Sequence, residues 1–317
     1  GRMRTEWVIH IWGKERDVLE LTPQEKFHMD MIRQYDHSIF DKVLINIAMY
    51  DINDDSLFDL LKSELMNVFS DIKEVDIRKC QNDRMLCEYV TFRPYVWDRI
   101  GEDVRIFYSH FKGYVTNVHL LGSYAYPKRN IFINEYYWSY LMYRMSLGKE
   151  YVDEMKTSLD NGKDVYCWCL FDENNLDHIY IPEEGDYITS FFRGIEESAP
   201  NIKDCYIEKS MFLHSPGSFV WYDMKNIGIH IGSKIYDVIS LDDEIYKNAG
   251  SAPHFCELYI WRFLNIDNIQ VQTFINNVNQ QFWSIKNAIY TRIYCSKKIC
   301  NEYIKDFNAY IIQNKII

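Results

Sequence analysis

Residues 109–113, Ser-His-Phe-Lys-Gly, bring an imidazole, an ammonium and a glycine together within one short stretch. Lysine is a compact point charge that can neutralise a phosphate directly, and glycine lets backbone come close to a ligand. Lys112 is therefore a candidate phosphate clamp, with His110 a neighbouring donor and Gly113 the point of close approach. The plain alternative is a strand-to-loop corner with a satisfied histidine. Upstream, Glu88 precedes Thr91 by three positions, and its carboxylate could bond a base or ribose, or support the Lys112 loop. Glu257 sits among Phe255, Leu258 and Ile260. Burial there would raise its pKa and suit it to accept a proton near neutral pH, with Asp223 the second candidate base. The alternative is a buried glutamate bonded to backbone N–H groups. Two acidic clusters compete for a metal role. Asp51, Asp54 and Asp55 read better as helix caps, and Asp242, Asp243 and Glu244 as a solvated helix start.

The stretch from Cys87 to Gly113 must position the first group. Tyr89, Phe92, Tyr95, Val96 and Ile100 recur at helical spacing. Gly101, Glu102 and Asp103 break the pattern, and Val104 to Tyr108 is a β-rich apolar run too short for a helix. Its polar tip falls at the C-terminal end of a strand, where ligands sit in open α/β sheets.

Glu88-x-x-Thr91, a strand, and then His110-x-Lys112-Gly113 resemble a stretch of bacterial surface-polysaccharide glycosyltransferases. Those proteins have a GT-A type of fold and patterns reading E-x-x-T-L, Y-x-H-T-K-G, G-N-F-W-W and E-x-W-I. The later pieces correspond here to Trp138, to Gly217-Ser218-Phe219-Val220-Trp221 and to Glu257-Leu258-Tyr259-Ile260. Order and spacing match over residues 7 to 264. Phe92 replaces a leucine, Phe111 a threonine, Ser218 an asparagine and Val220 a tryptophan. The resemblance implies a nucleotide-sugar donor and a glycan acceptor. It implies that Gly217 and Ser218 present backbone donors to a sugar, and it adds Trp221 to the binding residues; a plain tight turn at 217–218 is the alternative. Enzymes of this fold commonly hold Mn²⁺ or Mg²⁺ on two carboxylates after the fourth strand. Here that tip carries none, so a divalent metal is allowed by the sequence but not required.

Composition narrows the classes. Apolar residues make up 47% and charged residues 26%, which excludes wholesale disorder. The 35 basic against 46 acidic residues give a net charge of −11, which argues against a nucleic-acid partner. Tyrosines number 25, enough either to line a sugar site or simply to fill core in place of leucine. Eight cysteines in a chain this long, without C-x-x-C spacing, suit a reducing cytoplasm rather than a disulfide framework. Cys167 and Cys169 read as buried thiols. No apolar run approaches the roughly 18 residues that span a bilayer, and with a strand expected from Trp7 no signal peptide is expected.

In chain order, Trp7 to Trp12 is a strand ended by Gly13, and Thr22-Pro23 opens a helix. Val43 to Met49 is a buried strand, Leu57 to Phe69 an amphipathic helix, and Val75 to Ile77 a shorter strand. This alternation predicts a doubly wound, mostly parallel sheet. Tyr114 to Arg129 reads as loop, Glu135 to Lys156 as one long helix, Val165 to Phe171 as a strand, and Met211 to Trp221 as a strand broken at Ser215 to Ser218. Thr273 to Lys315 reads as one or two amphipathic helices with a basic outer side. The expected division is a GT-A-like nucleotide-sugar-binding domain, 3–271, and a helical C-terminal extension, 272–317. That extension either touches anionic membrane surfaces peripherally or packs on the domain with its basic face solvated. The expected activity is cytoplasmic glycosyl transfer, at the inner membrane face if the extension binds it. The alternative is a non-catalytic carbohydrate- or protein-binding module on the same fold.

Overall fold

The computed structural model describes residues 2–83, 88–111, 131–163, 165–169, 219–230 and 290–294, together with 306, 309 and 313. Within them lies an α/β architecture built on one mixed, mostly parallel sheet. Its strands are β1 (Arg4–Gly13), β2 (Lys42–Met49), β3 (Glu74–Gln81), β4 (Val104–His110), β5 (Val165–Cys169), β6 (Val220–Asp223) and β7 (Tyr290–Tyr294), in the order β3-β2-β1-β4-β6-β5-β7. Among the described strands only β6 runs antiparallel to its neighbours, β4 and β5. β2 is buried from Val43 to Met49, as a central strand covered on both faces must be.

Helices α1 (Pro23–Arg33), α2 (Asp55–Val68), α4 (Ile131–Leu147) and α5 (Lys149–Asp160) pack on one face, and α3 (Tyr89–Tyr95) and α6 (Met224–His230) on the other. α1 starts where the sequence says it should. The Thr22 hydroxyl accepts from Glu25 N–H, and the Glu25 carboxylate accepts from Thr22 N–H. Arg16 grips the same buried carboxylate through two bonds of 2.7 and 2.9 Å, which ties down the connection after β1. On α2, Leu57, Leu61, Leu65 and Val68 form the buried stripe.

The larger core centres on Trp7, which is fully buried. Its ring meets Phe40 at 4.9 Å, Phe107 at 5.3 Å and Phe69 at 5.4 Å, and its Nε1 donates to Ser109 Oγ at 2.8 Å. On the opposite face Phe92 of α3 meets Tyr108 and Tyr222 edge-on at 5.1 and 5.9 Å.

Three expectations change. The helix expected to reach Ile100 ends at Tyr95, followed by a 3₁₀ turn over Trp97–Arg99. Pro94 has no N–H to return to the chain, and helices rarely continue past such a gap. The helix expected over Glu135 to Lys156 is two helices, α4 and α5, that meet at Gly148. A Cβ there would lie 2.6 Å from the Arg144 carbonyl oxygen, so only glycine fits this corner. The amphipathic helical reading of Thr273 to Lys315 is interrupted, because Tyr290–Tyr294 is a strand paired in parallel with β5. Y-T-R-I-Y is rich in β-branched and aromatic residues, and a run that short satisfies both periods. Farther on, Asp306, Ala309 and Gln313 are helical and exposed, at the spacing of one solvated face. No described helix is long and apolar enough to cross a membrane.

At the N-terminal ends of the strands, charge is buried in pairs. Glu6 accepts from Arg99 through two bonds of 2.9 and 2.8 Å and from Arg4 at 3.0 Å. Burial alone would raise its pKa, but the two guanidinium groups outweigh that and hold the carboxyl below its ordinary range. A carboxyl depressed in the folded state contributes stability above its unfolded pKa and loses it as pH falls through the folded one. Glu6→Gln should therefore cost on the order of 3 kcal/mol near pH 7. The deficit should shrink at acid pH, as the parent's carboxyl takes up its proton. Urea unfolding of both proteins near neutral and at acid pH checks this, and a deficit that ignores pH would contradict it.

Candidate functional site

β1 is flanked by β2 on one side and β4 on the other, so the chain's progression across the sheet reverses between β1 and β4. A crevice outside the C-terminal ends of two such strands is the usual ligand position in open α/β sheets. His10 and His110 are register partners there, and His10 is also paired with Asn46 of β2. Alternation along the strands turns His10, Asn46, Tyr108 and His110 toward the α3 face.

α3 meets these side chains with two residues. Glu88 and Thr91 are three apart, hence on one helical face. The Thr91 hydroxyl accepts from Asn46 Nδ2 at 2.9 Å and is hydrogen-bonded to His10 Nδ1 at 2.6 Å. Asn46 Nδ2 also lies 3.4 Å from the Val90 carbonyl oxygen, the group that Pro94, lacking an N–H, leaves without its helical donor. One turn earlier, Glu88 Oε1 accepts from the Tyr108 hydroxyl. The same oxygen lies 3.8 Å from His110 Nδ1, an ion-pair separation rather than a hydrogen bond.

Burial divides the cluster. Thr91, Asn46 and His10 are 0%, 2% and 6% exposed, which makes them a satisfied internal network that fixes α3 on the sheet. The side chains of Glu88 and His110 are 15% and 14% exposed, enough to meet a ligand at the mouth. Phe219, the residue after Ser218, packs its ring 6.0 Å from that of His110. Two stretches far apart in sequence thus meet at one place.

The remaining expected residues divide differently. Lys112, Gly113, Gly217, Ser218 and Glu257 lie outside the described residues, as does the Asp242 to Glu244 cluster. Asp223 is at the other end of the sheet. It is the register partner of Arg105, five residues of strand or about 16 Å from His110. Its Oδ2 accepts from Arg105 Nε at 3.0 Å and its Oδ1 from the Asn226 N–H at 2.9 Å. It pairs a buried guanidinium and caps the start of α6, and it does not share the crevice with His110. Trp221 is core: it stacks on Phe107 at 5.0 Å and Phe40 at 5.5 Å and donates from Nε1 to the Ser146 carbonyl at 2.9 Å. It is no platform for a sugar.

Asp54 caps Leu57 N–H at 3.1 Å, as the capping reading expects, while Asp55 pairs with Lys79 at 2.9 Å instead. To a hard cation the described part of the crevice offers one carboxylate, Glu88. No group of three or more His, Cys, Asp or Glu among the described residues is placed to hold a metal. A cavity of about 740 Å³ opens at the opposite pole, lined by Arg4, Arg105, Lys156, Asp160 and Lys225 among others. Arg4 and Arg105 in its lining are bonded to Glu6, Glu74, Asp160 and Asp223.

His10 and Asn46 are the site residues that motif reading misses. The available signal is that each is the lone strongly polar residue inside an apolar strand core, WVIHIW and VLINIAM, three positions before the strand ends. The division into buried and rim residues has a measurable consequence. Thr91→Val should cost about 1–3 kcal/mol in urea unfolding, because Asn46 and His10 each lose a hydrogen bond in the interior. Glu88→Gln keeps an acceptor for Tyr108 at a wetter position and should cost under about 1 kcal/mol. Equal losses would show that the two residues do the same structural work.

No protein-family model matches the chain and no curated protein matches it.

Proposed function

We propose that the protein is a glycosyltransferase with a GT-A-like fold that moves a sugar from a nucleotide-sugar donor to a glycan acceptor. One observation carries this reading. Glu88, Thr91 and His110, picked out by a resemblance of sequence pattern, converge at the C-terminal ends of β1 and β4. Residues brought to one crevice across a strand and a helix are what a binding motif requires. The mixed sheet, with its reversal at β1 and β4 and its antiparallel β6, supports the GT-A-like reading.

In this reading Lys112 neutralises the diphosphate of the donor and Gly113 lets backbone approach it. Gly217 and Ser218 present backbone donors to the sugar. Glu257 takes the proton of the acceptor hydroxyl, and since Asp223 is committed to Arg105 at the far pole, Glu257 stands alone as the candidate base. A divalent cation, if the enzyme uses one, would supply charge at the same diphosphate.

Calorimetry with nucleoside diphosphates and nucleotide sugars tests the proposal. Binding followed by release of nucleotide from the donor is the expected result. Lys112→Ala should weaken nucleotide binding about tenfold or more, the loss of one charge-assisted contact, and Lys112→Arg should retain part of it. EDTA should change little. If Lys112→Ala binds like the parent while EDTA abolishes binding, the charge comes from a metal on an acidic cluster. If no nucleotide binds with or without Mn²⁺, the chain is a binding module rather than a transferase.

A further inference from the structure

We infer that Glu88 and His110 form a diol-binding pair that takes two adjacent hydroxyls of a sugar ring, an inference that rests on the nucleotide-sugar reading of the crevice. The two groups sit at the mouth, each partly exposed, with Nδ1 of the imidazole 3.8 Å from Oε1 of the carboxylate. Both are held from behind. Tyr108 donates to Glu88 Oε1 and so anchors one oxygen of the carboxylate, while Phe219 packs beside the imidazole. Glu88 is carried by α3, whose position is fixed by the bonds of Thr91 to His10 and Asn46.

The chemistry of the pair narrows its partner. A carboxylate repels a phosphate, so Glu88 does not face the diphosphate directly. A nucleobase wants a flat surface to stack on, and among the described residues the aromatic rings beside the pair, Tyr108 and Phe219, are both fully buried. A hydroxyl suits both groups, because it can donate to the carboxylate and either donate to or accept from the imidazole. A 1,2-diol presents two such hydroxyls side by side, and an acidic side chain at the carboxyl end of a parallel sheet commonly takes a ribose in this way. The diol could belong to the ribose of the nucleotide or to the transferred sugar. A site built around a carboxylate discriminates strongly against the analogue that lacks the hydroxyl, since the carboxylate then loses water without gaining that hydroxyl's bond.

The test has two arms. Calorimetry on the parent compares UDP, GDP, ADP and CDP with their 2′-deoxy counterparts. It also compares UDP-glucose and GDP-mannose with the same compounds carrying a 2-deoxy sugar. In one arm the missing hydroxyl should weaken binding about ten- to a hundredfold. A penalty in the first arm assigns the pair to ribose, and one in the second assigns it to the transferred sugar. In Glu88→Gln that penalty should fall to threefold or less, and in His110→Gln it should fall part of the way, with thermal midpoints confirming that both variants fold. Two results overturn the inference while leaving the nucleotide reading intact: no penalty in either arm, or a penalty that survives Glu88→Gln. If none of the compounds binds, the nucleotide reading fails and the diol assignment falls with it.

Discussion

The Thr91 hydroxyl is the contact on which the candidate site depends. Fully buried, it joins Asn46 of β2 and His10 of β1, so α3 is anchored across two adjacent parallel strands by one side chain. Inside a protein such a bond has no competing water, and losing it removes a bond from two buried polar groups rather than one. Everything at the mouth follows from that anchor. Glu88 lies one turn back on the same helical face and reaches Tyr108 and His110 of β4. Phe92, the next residue after Thr91, drives its ring against Tyr108 and Tyr222 and closes the apolar core beneath. A helix of seven residues has little stability of its own. It is held by side-chain contacts with the sheet, and those contacts are what aim Glu88.

The two poles of the sheet use charge in opposite ways. At the N-terminal ends of β1 and β4, carboxylates and guanidinium groups neutralise one another: Glu6 with Arg99 and Arg4, and Arg105 with Asp223 and Asp160. These are bonded several times over, and that saturation makes them structural. At the C-terminal ends of β1 and β4 the described cluster joins Glu88, Thr91, Tyr108, His10 and His110, with Glu88 Oε1 3.8 Å from His110 Nδ1. A site that must exchange ligands keeps groups that water or a substrate can reach. The sheet separates a pole saturated with ion pairs from one where the Glu88 and His110 side chains stay partly exposed.

Much of the fold was legible because local physics decides it. The Thr22–Glu25 capping box starts α1 at the expected residue, and the run Val43 to Met49 is a buried parallel strand as its continuous apolarity requires. Where two patterns fit the same residues, the reading failed. Ile289 and Ile293 sit at helical spacing, yet Tyr290–Tyr294 is a strand, because pairing with β5 satisfies its backbone. The periodic tyrosines from Tyr136 to Tyr151 run straight through Gly148, where the chain turns from α4 to α5.

By itself the sequence determined the alternation of strands and helices, the polar tip of β4 and the Glu88–Thr91 spacing, since each depends on neighbours within a few residues. Only the tertiary structure decided which polar residues meet. Period-two alternation looks the same in either chain direction, so nothing local told that β6 runs antiparallel to β4 and carries Asp223 to the far pole. The same holds for Trp221, an aromatic in a motif that is consumed by Phe40, Phe107 and Ser146. His10 and Asn46 became partners of Thr91 through strand register and helix docking. Both are long-range choices, made by burying apolar surface across the whole sheet rather than by any segment's own preference.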